Sequence, residues 1–135
     1  YRDVAQLDGF SLYQDNRVKY AEISYNKYPY TIAWEYIKEI QGIEYAVFPN
    51  WHPQEYGDAI SESTFHISIP DNQELYTKAL NLKIEPTIEQ DGKRTNYTWQ
   101  LKNVMAVHQE KYSPSTYYTL PKLLTAPASF VVNSY

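Results

Sequence analysis

Along most of the chain, apolar and polar residues alternate with a period of two between short polar turns, the pattern of antiparallel strands with one wet face. Residues 80–102 show it most clearly. Leu80, Leu82, Ile84 and Ile88 share one face and Asn81, Lys83 and Glu89 the other, after which Asp91-Gly92 offers residues that tolerate positive φ. The return run sets Thr95, Tyr97, Trp99 and Leu101 against Asn96, Thr98, Gln100 and Lys102, so a hairpin turning at Asp91-Gly92 is predicted.

Thr64 to Ile69 repeats the alternation, with Phe65, Ile67 and Ile69 against His66 and Ser68, and Pro70-Asp71-Asn72 ends it with turn chemistry. In Arg17 to Tyr25, Val18 and Tyr20 are in one phase and Ile23 and Tyr25 in the other, which a β-bulge between Tyr20 and Ile23 reconciles. Thr31 to Gly42 fits two patterns. Ile32, Tyr36, Ile37 and Ile40 have helical spacing with Gly42 as a C-cap, whereas Ile32, Trp34 and Tyr36 alternate as in a strand. Its β-branched and aromatic residues, led in by Tyr28-Pro29-Tyr30, favour the strand. Ser113 to Pro127, rich in Pro, Ser and Thr, reads as extended and irregular, and Ala128 to Val132 as a short closing strand. Together these elements predict one all-β domain over residues 1–135, an antiparallel β-sandwich-like fold of two packed sheets with about six to eight strands and little helix.

Composition agrees with that picture. With 43% hydrophobic and 21% charged residues the chain has an ordinary globular balance, and its 15 tyrosines suit half-buried pleated surfaces. A net charge of −4, with Lys93-Arg94 the one adjacent basic pair, argues against nucleic acid as a partner. No apolar run reaches the ~18 residues of a membrane span. The chain has no cysteine, hence no disulfide, thiolate nucleophile or Cys-based metal site. It opens on Tyr1 with no signal-peptide pattern, as a processed or excised piece would.

Candidate chemistry is thin. His52, Glu55 and Asp58 include donors suited to a divalent metal, but Pro53 breaks the helical spacing that would aim His52 and Glu55 together, and a polar loop is expected instead. Ser61, Ser63 and His66 lie close in sequence without the strained strand-to-helix turn of a nucleophile, so His66 and His108 are expected as solvated sheet residues. Glu35 and Glu39 carry no spacing signal for paired-carboxylate chemistry, and isolated glycines form no phosphate cradle, so no nucleotide cofactor is expected. Catalytic, metal and cofactor-binding residues are accordingly assigned to none. The remaining signal is aromatic: Trp51, Tyr56, Tyr112, Tyr117 and Tyr118 fall in predicted loops, where exposed rings stack on sugar faces or anchor peptides.

An ordered series of short motifs adds to this reading. Asp8-Gly9-Phe10-Ser11-Leu12-Tyr13, Asp15-Asn16-Arg17-Val18-Lys19 and Tyr28-Pro29-Tyr30-Thr31-Ile32 resemble the middle of a bacterial domain of unknown function that sits just before transglutaminase-like catalytic domains. Ile67-Ser68-Ile69-Pro70, Tyr97-Thr98-Trp99-Gln100-Leu101-Lys102-Asn103, Glu110-Lys111-Tyr112 and Leu120-Pro121 resemble later motifs of the same domain. The resemblance implies a strand at Thr31 to Ile40 and a β-sandwich-like accessory domain. It places that domain in a larger periplasmic, cell-surface or secreted protein of a Gram-negative bacterium. A papain-like core carrying Cys, His and Asp would follow it and be its partner. The family's opening strands are missing, which implies an N-terminally truncated domain with an exposed sheet edge. No residue here matches the catalytic ones of the following domain.

Overall fold

The computed structural model describes residues 2–5, 17–20, 23, 26–27, 29–40 and 48–128, the first two stretches as backbone alone. They group into two compact units, Tyr1–Ile40 and Gln41–Tyr135. In the first, β1 (Arg2–Ala5) pairs antiparallel with β2 (Arg17–Tyr20), Arg2 opposite Tyr20 and Ala5 opposite Arg17. β2 opens the strand predicted at 17–25, and the bulge proposed after Tyr20 lies outside the described residues. β1 was not predicted.

Thr31–Ile40 is neither strand nor helix, which corrects the expectation of a strand there. Alternation states which side chains share a side of an extended backbone. A strand also needs a neighbour for its N–H and C=O groups, and this segment joins no ladder while every residue in it is exposed.

The second unit contains β3 (Ile60–Pro70), β4 (Leu75–Leu80), β5 (Thr87–Asp91), β6 (Arg94–Val104), a one-turn helix α1 (Thr116–Thr119) and β7 (Lys122–Pro127). They form two antiparallel sheets, ordered β3-β6-β5 and β4-β7. The all-β expectation therefore holds. Phe65 opposes Trp99, Ile67 opposes Tyr97 and Ile69 opposes Thr95, so the period-2 residues of both strands meet on the inner face as predicted. The outer face is polar, with Glu62 opposite Lys102, Thr64 opposite Gln100 and His66 opposite Thr98.

Three local readings change. Asp91 pairs with Arg94, so the hairpin turns on Gly92-Lys93, one residue later than predicted. Gly92 takes φ +62° at the first central position, as a II′-type turn requires. The strand predicted from Leu80 is two pieces. Leu80 ends β4 and pairs with Lys122, Asn81 turns away at φ +54°, and β5 begins after Pro86. Leu82 and Ile84 nonetheless pack against the core while Lys83 and Glu85 stay exposed, so the alternation was right and its element wrong. Finally, β7 occupies the end of the stretch expected to be irregular. Of Ala128 to Val132 only Ala128 is described, its N–H donating to the Glu74 carbonyl at 2.9 Å.

One core joins the two sheets: Trp51, Phe65, Ile67, Ile69, Trp99 and Leu123, with Trp99 and Leu123 each only 1% exposed. Trp51 does not sit in an open loop as predicted. Its N–H and C=O both bond to Leu123 at 2.9 Å, extending the β4-β7 sheet by one bridge. Its ring stacks on Phe65 of the other sheet, centroids 5.7 Å apart and planes 10° apart, and Phe65 in turn meets Trp99 at 5.8 Å. Truncating such a ring removes its burial and leaves a cavity. Trp51→Ala should cost about 3–5 kcal/mol in urea unfolding, whereas Trp34→Ala, at a ring that is 77% exposed, should stay within about 0.5 kcal/mol. Equal effects would contradict this core.

Candidate functional site

Four side chains hold the tyrosine-rich turn that precedes β7. Ser115 caps α1, its Oγ accepting from Tyr117 N–H at 3.3 Å. Asn81 Nδ2 donates to the carbonyls of Tyr117 at 3.1 Å and Leu120 at 3.0 Å. Tyr56 donates its hydroxyl to the Pro114 carbonyl at 3.0 Å and lies 2.7 Å from Thr119 Oγ1. Lys122, a buried residue, places Nζ 5.4 Å from the Tyr117 ring centre, a cation–π contact. Asn81 reaches both carbonyls from a left-handed backbone, a conformation that Asn tolerates better than most residues.

The result is a fixed pair of rings at the surface. Tyr117 and Tyr118 meet edge to face, centroids 5.3 Å and planes 83° apart, and Tyr118 is 71% exposed. Tyr112 is exposed nearby in sequence, with Lys111 Nζ 5.7 Å from its ring. Of the five aromatic residues singled out by the sequence, Tyr112, Tyr117 and Tyr118 are thus exposed, Tyr56 is a brace and Trp51 is core. The bracing role of Asn81 was not foreseen. Its isolated Asn between apolar residues looked like a solvent position of a strand.

His52, Glu55 and Asp58 are all exposed, and among the described residues no three His, Asp or Glu side chains come together to hold a metal. The loop is organised by Gln54 instead. Its buried Nε2 donates to the Asp58 carbonyl at 2.7 Å and to the Met105 carbonyl at 2.8 Å, and Gly57 N–H donates to the Val107 carbonyl at 2.8 Å. Gln54 Oε1 is buried without a hydrogen-bond partner among the described residues. His66 is a sheet-surface residue as expected, its Nδ1 3.0 Å from Thr98 Oγ1, and among the described residues no serine hydroxyl bonds to a histidine. Glu62 lies across the same face, 3.8 Å from Lys102 and accepting from Gln100 at 2.6 Å.

These features define an all-β domain of two small antiparallel sheets with exposed tyrosines at one turn. The chain belongs to DUF3857, a family of domains of unknown function, whose model matches residues 2–108. α1, β7 and the motifs noted at 110–112 and 120–121 lie beyond the matched residues. No curated protein and no solved structure matches the chain.

The bracing of this turn is separable from its exposed rings. Tyr56→Phe should lower stability by about 1 kcal/mol, and Asn81→Ala, which strands two carbonyls and strains the backbone, by about 1–3 kcal/mol. Tyr118→Ala should change it by less than about 0.5 kcal/mol. Urea unfolding of the three variants checks the order.

Proposed function

We propose that this chain is a non-catalytic accessory domain of a larger exported protein, one that packs against or positions a transglutaminase-like catalytic domain. The resemblance of its motifs to domains preceding such enzymes supports the neighbour. The observation that supports a docking role is Ile88. It stands opposite Tyr97 on the inner, core-facing side of the three-stranded sheet, yet it is 56% exposed. The apolar face runs past the β4-β7 sheet that covers its centre, and among the described residues β5 is a sheet edge, with every residue exposed. An exposed apolar residue on a core-facing side, beside an exposed edge strand, suits burial against a neighbouring domain. On this reading the periplasm or cell surface of a Gram-negative bacterium is the compartment. The isolated domain should show no peptidase or transamidase activity and should bind its catalytic neighbour in calorimetric titration. Ile88→Lys should weaken that binding at least about tenfold. No binding, or an unchanged affinity for the variant, would sink the docking surface.

A second reading, a glycan- or peptide-binding module, is favoured by the exposed Tyr117–Tyr118 pair on its braced turn. Trp51 and Trp99 are buried and would report such binding poorly by fluorescence, so NMR of the tyrosine rings is the better probe. Cell-wall fragments, polysaccharides and peptides should shift Tyr117 and Tyr118 selectively. Flat titrations across that panel would count against it.

A further inference from the structure

In the first unit, Thr31–Ile40 is neither strand nor helix, joins no ladder and carries large apolar side chains that are all open to solvent, from Ile32 at 47% to Ile37 at 84% exposed. Trp34 and Tyr36, two residues apart, have stacked rings with centroids 5.3 Å and planes 9° apart. That geometry puts Trp34 and Tyr36 on one side of the backbone, the side that all even-numbered residues share when the segment pairs as a strand. Read along that side, the sequence is Ile32, Trp34, Tyr36, Lys38, Ile40, which is nearly symmetric about Tyr36.

The symmetry has a consequence for pairing with a second copy. In an antiparallel register centred on Tyr36, Ile32 faces Ile40, Trp34 faces Lys38 and Tyr36 faces its own copy. On the other side Glu35 faces Ile37 and Glu39 faces Ala33. Each even-side rung is a favourable cross-strand pair: aliphatic on aliphatic, ammonium on indole, aromatic on aromatic. No like charges oppose each other.

Alternative registers lose these features. Centring on Glu35 sets Glu35 against Glu35, and centring on Ile37 sets Glu35 against Glu39. A shift of one residue, with Glu35 facing Tyr36, mixes Glu35 and Glu39 of one copy into the apolar side of the other.

We propose that Thr31–Ile40 is a homotypic docking strand that pairs antiparallel with the same segment of a second copy about a two-fold axis at Tyr36. A two-stranded ribbon of this length is smaller than a standard interface of roughly 800 Å² per partner. The dimer is therefore weak and concentration-dependent. This surface is distinct from the Ile88 face.

The cysteine-free chain makes a direct test available, because single-cysteine variants at exposed positions 35, 36 and 37 report the register. Directly opposed residues of an antiparallel pair lie about 4.5–5.5 Å apart at Cα, within the span that a disulfide bridges. Under mild oxidation, Tyr36→Cys should form a covalent dimer about tenfold faster than Glu35→Cys or Ile37→Cys. Adding Ile88→Lys should leave that rate unchanged. Sedimentation gives a second reading: Tyr36→Glu and Tyr36→Lys should each be monomeric, and their mixture should associate. The proposal is overturned by no preference for position 36, by fastest crosslinking at 35 or 37, or by a mixture that stays monomeric.

Discussion

The second unit depends on one contact, the stack of Trp51 on Phe65. Trp51 is bound to β7 through its backbone and to the three-stranded sheet through its ring, so a single residue fixes both the edge of one sheet and its spacing from the other. The stack continues through Trp99 to Tyr97, whose ring lies 6.0 Å from that of Trp99. Offset aromatic pairs at such distances add to the burial of their large apolar area. Ile67, Ile69 and Leu123 complete the same core. A two-stranded sheet is marginal by itself, and β4-β7 persists because this core gives it a face to cover.

Polar groups around Trp51 are arranged to keep that register. Asn50 Oδ1 accepts from Thr125 N–H at 3.0 Å, and Thr125 Oγ1 donates to the Pro49 carbonyl at 2.9 Å, so the residues leading into Trp51 are laced to β7 at Thr125, two residues beyond Leu123. At the opposite corner the chain passes from β3 to β4 through Asp71, whose N–H donates to the Lys93 carbonyl at 3.1 Å and whose carboxylate accepts from the buried Thr95 hydroxyl at 3.1 Å. Among the described residues, Gln54 Oε1 is the one buried side-chain polar atom without a hydrogen-bond partner. Around this fixed frame the exposed apolar groups, Ile88 and the Tyr117–Tyr118 pair, stand where a partner can reach them.

Legibility in the sequence followed burial. β3 and β6 are long, with one face in the core and one in water, and their alternation in the sequence matches their burial strand by strand. β4 left no such trace, because four of its six residues are exposed and only Leu75 and Leu80 at its ends are partly buried. Asn81 hid the break between β4 and β5 by sitting where a polar strand residue was due. Trp51 was misplaced for the opposite reason. Its neighbours His52 and Pro53 have loop character, and nothing local reveals a backbone bridge to a residue 72 positions later. The exposed tyrosines were legible as candidates, whereas the braces that hold them, Asn81 and Tyr56, are long-range contacts and were not. In Thr31–Ile40 the alternation of Trp34 and Tyr36 fits their stacked rings, and the absent ladder is invisible to it.

If Trp51 couples the sheets through Phe65, the two residues must be energetically interdependent, and a double-mutant cycle of Trp51→Ala and Phe65→Ala by urea unfolding measures this directly. The structure predicts that the double variant is less destabilised than the sum of the singles, by an interaction energy of about 0.5–3 kcal/mol. Additive effects would mean that each ring stabilises its own sheet alone, contradicting a sandwich held by that stack.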